Sequence, residues 1–179
     1  LDALLGADAG VRDESAPRPI AFDSILGLWL PTQLACIGVG VALADQLSTG
    51  QLLGFALACG VLSGGGGITV AHELCHRKAT WARASAEGLM ASVLYPWFTV
   101  EHVLGHHRNV ATPADPATSR LGETVYTFWF RSVFGGLRSA WRLESQRVSK
   151  RGVRGLGDRR LRMALEVALF LGVAALLGG

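Results

Sequence analysis

Two long runs without a charged residue dominate the pattern of apolar and polar positions. The first, ILGLWLPTQLACIGVGVALA, occupies residues 25–44, and the second runs from Gln51 to Ala71. Each has 20 or 21 residues, enough for a helix to cross a hydrocarbon core of about 30 Å. The short polar turn at 45–50 between them predicts a helical hairpin. Pro31 falls early in the first run and is tolerable there if neighbouring groups satisfy the freed carbonyl. Gly60 and Gly64 to Gly67 in the second run allow another helix to approach closely. A third apolar stretch, Ala84 to Val100, is bracketed by Glu87 and Pro96. A full crossing would set the histidine motifs at its two ends about 30 Å apart, so it is predicted to re-enter or lie in the interface. Thr124 to Leu137, with Tyr126, Phe128, Trp129, Phe130 and Phe134 around Arg131, suits the headgroup boundary. Met163 to Leu177 begins a further predicted spanning helix.

Composition agrees with a lipid setting. Half of the 179 residues are hydrophobic and 17% are charged, below the quarter usual in soluble domains. Basic residues orient the hairpin. The 45–50 turn has none, whereas Arg12 and Arg18 precede the first run and Arg77, Lys78 and Arg83 follow the second, so both hairpin termini are expected on the cytoplasmic side. Ten of the 17 basic residues lie between Arg131 and Arg162 beside two acids, Glu144 and Asp158. Such a surface suits anionic lipid or an acidic partner. Cys36, Cys59 and Cys75 are odd in number and set in apolar sequence, which implies no disulfide framework. No glycine-rich phosphate loop is present, because no Gly-Lys-Ser/Thr follows the glycines at 64–67. Nothing points to nucleic acid. The fold class expected is an all-α, polytopic integral membrane helical bundle with a histidine cluster on the cytoplasmic side.

All five histidines fall in one window as two motifs. HELCHR places His72 and His76 four apart where the second apolar helix ends, and EHVLGHH places His102 and His106 four apart with His107 adjacent. Residues at i and i+4 share a helical face, and imidazole is the natural nitrogen ligand for zinc, iron and copper. Several buried imidazoles without a common partner would be costly near a bilayer, whereas a metal satisfies their nitrogens together. Two chemistries compete. His72-Glu73-Leu74-Cys75-His76 fits H-E-x-x-H, the zinc-protease pattern with Glu73 as general base. That site needs one further ligand and leaves the second motif without a collective role. A two-metal centre uses all five histidines, and histidine-rich ligation suits iron that changes oxidation state while keeping positions open for O₂. A metal-binding or haem-anchoring membrane subunit is the non-enzymatic alternative.

HELCHR, EHVLGHHRNVATPADPATSRLGE and RSVFGGLRSAWRLESQR together resemble the integral-membrane alkane 1-monooxygenases, within the membrane fatty-acid desaturase and hydroxylase superfamily. The resemblance runs at least from His72 to Arg147, and LDALLGAD at the start is similar to that family's lead into its first helix. It implies a single membrane-embedded domain over residues 1–179, incomplete at its C-terminus, in the bacterial inner membrane. It also implies two non-haem Fe ions on the cytoplasmic side, with His72, His76, His102, His106 and His107 among the ligands. The reaction implied inserts one oxygen atom of O₂ into a terminal C–H bond of a medium- or long-chain alkane to give a primary alcohol. Electrons would come from rubredoxin and its NAD(P)H-dependent reductase, and the basic run 131–162 suits so acidic a partner as well as it suits lipid. The family has further histidine motifs downstream, yet no histidine follows His107, so this chain alone is expected to be inactive. Many members have Asn-Arg where Val103-Leu104 stands here, which leaves open a xylene-type methyl hydroxylase or a desaturase.

Glu73 and Glu101 stand next to ligands and are candidate acceptors for an imidazole N–H, or solvated helix-end carboxylates. Asp115, Arg120 and Glu123 are expected to brace the polar loop 111–120 and its continuation by charge-assisted hydrogen bonds. Trp29 and Leu34 are candidates for an apolar substrate route, although ordinary packing accounts for them too.

Overall fold

Uncharged runs of this length leave the backbone no partner but itself in lipid, and both become long helices. The structure, a computed structural model, describes residues 20–178. Arg12, Arg18 and the LDALLGAD lead therefore lie outside the described residues. Among those described every regular element is helical. Helix α1 spans Ile20–Ala42 with Pro31 inside it. Thr32 Oγ1 donates to the Leu28 carbonyl at 2.8 Å, keeping its polar atom within the helix. A short turn leads to Ser48, which caps α2 (Thr49–Val61) in a reciprocal box with Gln51. The helix continues through a π turn, Leu62–Gly67, into α3, Ile68–Cys75. Ala21–Ala42 and Thr49–Cys75 are each long and apolar enough to cross a membrane, and little of either is buried inside the protein. Exposed Leu28, Val39, Leu53, Leu57 and Val61 on these helices fit a lipid surround.

The hairpin closes over glycine. A β-carbon at Gly66 would overlap the indole of Trp29, and one at Gly67 would overlap the amide of Gln33. Each helical glycine costs about 1 kcal/mol relative to alanine, and here the close approach of α1 offsets that cost. At the other end Arg77 ties the hairpin shut through Asp23 on α1 and Glu73 on α3.

The third apolar stretch forms no helix of spanning length. Helix α4, Thr80–Ser92, is about 20 Å long at 1.5 Å per residue, short of a bilayer core. It ends where the Gln33 Nε2 amide donates to Ser92 Oγ at 2.7 Å. Leu94 takes a positive φ of 56°, the chain turns through Pro96, and α5, Phe98–Glu101, carries it back to the histidines. Leu26, Val70, Ala71, Leu74, Ala82, Ala86, Leu89 and Met90 form the core where α1, α3 and α4 meet. The core thus sits against the first histidine motif and sets the returning arm beside it.

Helix α6, His107–Asn109, ends the second motif. After the polar loop, α7 runs from Val125 to Arg151, much longer than its aromatic N-terminal part, capped by Thr124 and stopped by Gly152 at φ 62°. Tyr126, Trp129, Phe130, Phe134 and Trp141 on it are exposed. Helix α8, Arg159–Leu177, starts four residues before the predicted apolar stretch. Its three arginines and Glu166 keep it from the composition of a span, although its end reaches Gly38 and Val41 of α1. Arg162 Nη2 on α8 donates to Glu87 on α4 at 2.9 Å.

Candidate metal centre

Helix α3 delivers the first pair of imidazoles as its periodicity requires. His72 and His76 lie on one face with ring centroids 5.0 Å apart. The second motif behaves differently, because residues 102–106 form a π turn. On a plain α-helix, at 100° per residue, His107 would stand about 140° around the axis from His102. The wider i→i+5 turn instead puts these two together, with His107 Nε2 3.0 Å from His102 Nε2. His102 Nε2 is also 3.1 Å from His76 Nε2. The ligand atoms of His72, His76 and His102 all lie within 4.8 Å of one another. His106 stays at the edge, its ring 5.3 Å from that of His102 and its Nδ1 2.9 Å from Asp115 Oδ2.

All five sequence-predicted imidazoles are therefore brought together. Two of them, His102 and His76, are held toward the neutral form. Burial and then the adjoining His72, His107, His76 and His106 push His102 down to about 3, and burial followed by His107 and His72 lowers His76. Neutral imidazole with a bare nitrogen is the ligand form. Phe98 stacks on His102 at 4.8 Å with an interplanar angle of 8°, closing one side of the cluster.

The carboxylates divide. Glu73 Oε1 accepts from Arg77 at 3.2 and 3.3 Å. Glu101 is buried, its carboxylate lies against Gly105, and its Cγ and the Trp97 indole both face Gly136. Burial raises its pKa, and the Ser139 hydroxyl opposes this. Asp115, 1% exposed, accepts from the Ala117 N–H at 2.9 Å and from Thr118 Oγ1 at 2.5 Å. Burial would raise its pKa, but these bonds and the one to His106 bring it below the ordinary range. Glu123 is drawn down to about 2 chiefly by the Arg131 guanidinium, which grips it at 2.7 and 2.6 Å. Arg120 is exposed and meets Glu123 through its backbone N–H at 3.0 Å.

Sequence reasoning missed the part played by Arg131. Besides Glu123 it donates to the carbonyls of Pro116 at 3.0 Å and Thr118 at 2.9 Å, so it is the cation that binds the loop. Its aromatic neighbours had suggested a headgroup contact, and only the eight-residue spacing to Glu123 carried a local signal. Phe98 and the bond from His106 to Asp115 were missed as well.

Residues 49–179 match the fatty acid desaturase family. Alkane 1-monooxygenase 1 of Alcanivorax borkumensis is 36% identical over 99% of this chain and 46% of its own length. Alkane 1-monooxygenase of Ectopseudomonas oleovorans is 42% identical over 85% of this chain and 39% of its own length. The hydroxylase component of the xylene/toluene monooxygenase of Pseudomonas putida is 27% identical over the whole chain and 50% of its own length. The chain thus spans half the length, or less, of these curated relatives.

Proposed function

The chain belongs to the fatty acid desaturase family, and from that premise we propose that it is the part of a membrane di-iron alkane monooxygenase that carries two of the histidine motifs. The observation that carries this reading is the convergence of both motifs, with Nε2 atoms of three imidazoles 3.0 and 3.1 Å apart in succession. Bare nitrogens at that separation repel unless a proton or a cation lies among them, and the donor chemistry fits a metal. His72, His76, His102, His106 and His107 would hold it, His106 from the edge of the cluster. Iron would supply redox equivalents and open positions for O₂. One oxygen atom would enter a terminal C–H bond of an alkane, and the other would leave as water with two electrons and two protons.

The chain's residues provide orientation and exclusion. Phe98 covers His102 and the α1–α3–α4 core backs the first motif, so water is kept from that side. Arg77, Lys78 and Arg83, adjacent to the first motif in sequence, support a cytoplasmic site in the inner membrane. The basic residues of 131–162 support an acidic electron donor of the rubredoxin type, reduced in turn by an NAD(P)H-dependent reductase. Higher identity to the alkane enzymes than to the xylene enzyme favours a linear alkane over an aromatic methyl group. A zinc protease is disfavoured because its general base, Glu73, is engaged by Arg77.

Anaerobic Fe(II) reconstitution of the detergent-purified chain, read by elemental analysis, tests the metal. Iron should bind and should be lost in His72→Ala and His102→Ala. The complete gene product, given dodecane in cells, should form the primary alcohol. Uptake of zinc alone, with peptide cleavage abolished by Glu73→Gln, would refute the proposal.

A further inference from the structure

His106 is the one imidazole of the second motif that the π turn leaves off the shared face, and it is met by a group from a different segment. Asp115 lies nine residues on, beyond two turns, and its carboxylate makes three hydrogen bonds. The Ala117 N–H, the Thr118 hydroxyl and His106 Nδ1 converge on its two oxygens at 2.9, 2.5 and 2.9 Å. A carboxylate that only shaped the Asp-Pro-Ala-Thr turn would be complete with the first two. The third contact therefore asks for its own explanation.

Asp115 has no freedom to leave. It is 1% exposed, and the turn is fixed from outside. Thr118 Oγ1 accepts the Ala111 N–H at 2.9 Å while donating to Asp115, and Arg131 on α7 binds the carbonyls of Pro116 and Thr118. A carboxylate with two donors already in place can only receive from His106, so Nδ1 carries a proton and the neutral ring offers its bare nitrogen at Nε2. We propose that Asp115 is a positioning residue for the metal centre, holding His106 in the tautomer and ring orientation that offer Nε2 to a metal ion, with Arg131 fixing the loop that carries it. This rests on the metal-centre reading. Carboxylate–histidine pairs of this kind set ligand orientation, and their loss costs 10- to 100-fold in metal affinity.

The test begins without metal. In the detergent-solubilised chain labelled with [¹⁵N]histidine and treated with chelator, His106 signals are assigned by their absence in His106→Gln. Wild type should show His106 protonated on Nδ1, with that proton slow to exchange. Asp115→Asn should abolish the slow proton, while Thr118→Val, which removes a turn bond and leaves the carboxylate, should retain it. Cobalt(II) titration of the same proteins should weaken 10- to 100-fold in Asp115→Asn and stay within threefold in Thr118→Val. Wild-type His106 protonated on Nε2 overturns the proposal even if Asp115→Asn fails to fold, and so does Asp115→Asn with unaltered His106 signals. A chain that takes up no cobalt while His106 remains Nδ1-protonated overturns the metal-centre reading and leaves the hold of Asp115 on the ring standing.

Discussion

Gly105 is the residue on which the geometry of the second motif turns. A β-carbon there would overlap both carboxylate oxygens of Glu101, one turn earlier on the same segment. A carboxylate end usually swings aside, but this one is 6% exposed and wedged near Gly136 and Trp97. Gly105→Ala therefore forces the segment out of its π turn or pushes Glu101 into α7. Overpacking costs about 1–3 kcal/mol, and alanine returns about 1 kcal/mol of helix propensity. The net loss of about 0–2 kcal/mol leaves a folded protein in which the metal site can be measured. Return to α geometry would carry His107 off the face of His102, since one residue is 100° of rotation.

Cobalt(II) affinity of the detergent-solubilised chain reads this directly through the d–d absorption. Gly105→Ala should lose about tenfold or more, the least expected when the surroundings of a metal ligand are disturbed. Removing the obstacle should restore it. Glu101→Ala combined with Gly105→Ala should bind cobalt within threefold of Glu101→Ala alone, a coupling between contacting residues that a double-mutant cycle isolates. Unchanged affinity in the single variant would refute the reasoning, as would a double variant no better than additive losses predict.

Two further outcomes follow from groups around the site. Glu144 on α7 is fully buried; it joins α8 by accepting the Arg159 N–H at 2.8 Å, and within α7 it accepts from Arg147 Nε at 2.7 Å. Breaking a buried pair costs about 3–5 kcal/mol, and with Arg147 22% exposed about 2–3 kcal/mol is expected for Glu144→Gln, lowering Tm by about 5–10 °C. A change under 1 °C would contradict the buried junction. For pH, the folded pKa of His102 lies below its ordinary 6.5 at about 3, so the unfolded chain binds the extra proton between those values. Stability of the metal-free chain should then be full above about pH 6.5 and decline as pH falls toward 3, as followed by thermal unfolding. Replacement by His102→Gln should flatten that decline, and a profile independent of His102 would count against a neutral His102.

The sequence made some parts of this arrangement legible and concealed others for physical reasons. Uncharged runs of 20 residues or more have few alternatives to a membrane-length helix, so α1 and the α2–α3 helix were readable from composition. The short α4 arm was readable from chemistry, because two ligand motifs that must meet cannot be held a bilayer's thickness apart. The π turns were not readable. A pattern of apolar positions reports a period near 3.6 and is blind to one inserted residue, so His102 was paired with His106 where the structure pairs it with His107. Contacts across the loop were concealed for another reason. Asp115 with His106 and Arg131 with Thr118 join residues 9 and 13 apart, where no helical or strand period links them. Arg120 stands nearer Glu123 in sequence than Arg131 does, and only the folded loop shows that Arg131 brings its guanidinium while Arg120 brings its backbone N–H.

Both histidine-bearing segments contain a π turn with glycine in it, and the common feature has a mechanical reading. Leu62–Gly67 interrupts the long helix one turn before His72, and His102–His106 lies within the second motif. Such turns are unfavourable and concentrate at functional sites. At 62–67 the compensation is contact with Trp29 and Gln33 of α1, and at 102–106 it is the seat of Glu101 against Gly105 and α7. The two halves of the cluster are thus aimed by different supports, the first by the membrane hairpin and the second by α7 with its loop. What registers one half against the other is the packing of Ala82, Ala86 and Leu89 of α4 on Ala71 and Leu74 of α3. A substitution in that small-residue contact should shift the spacing between His76 and His102 without touching either ring, because α4 is the covalent link that returns the second motif to the first.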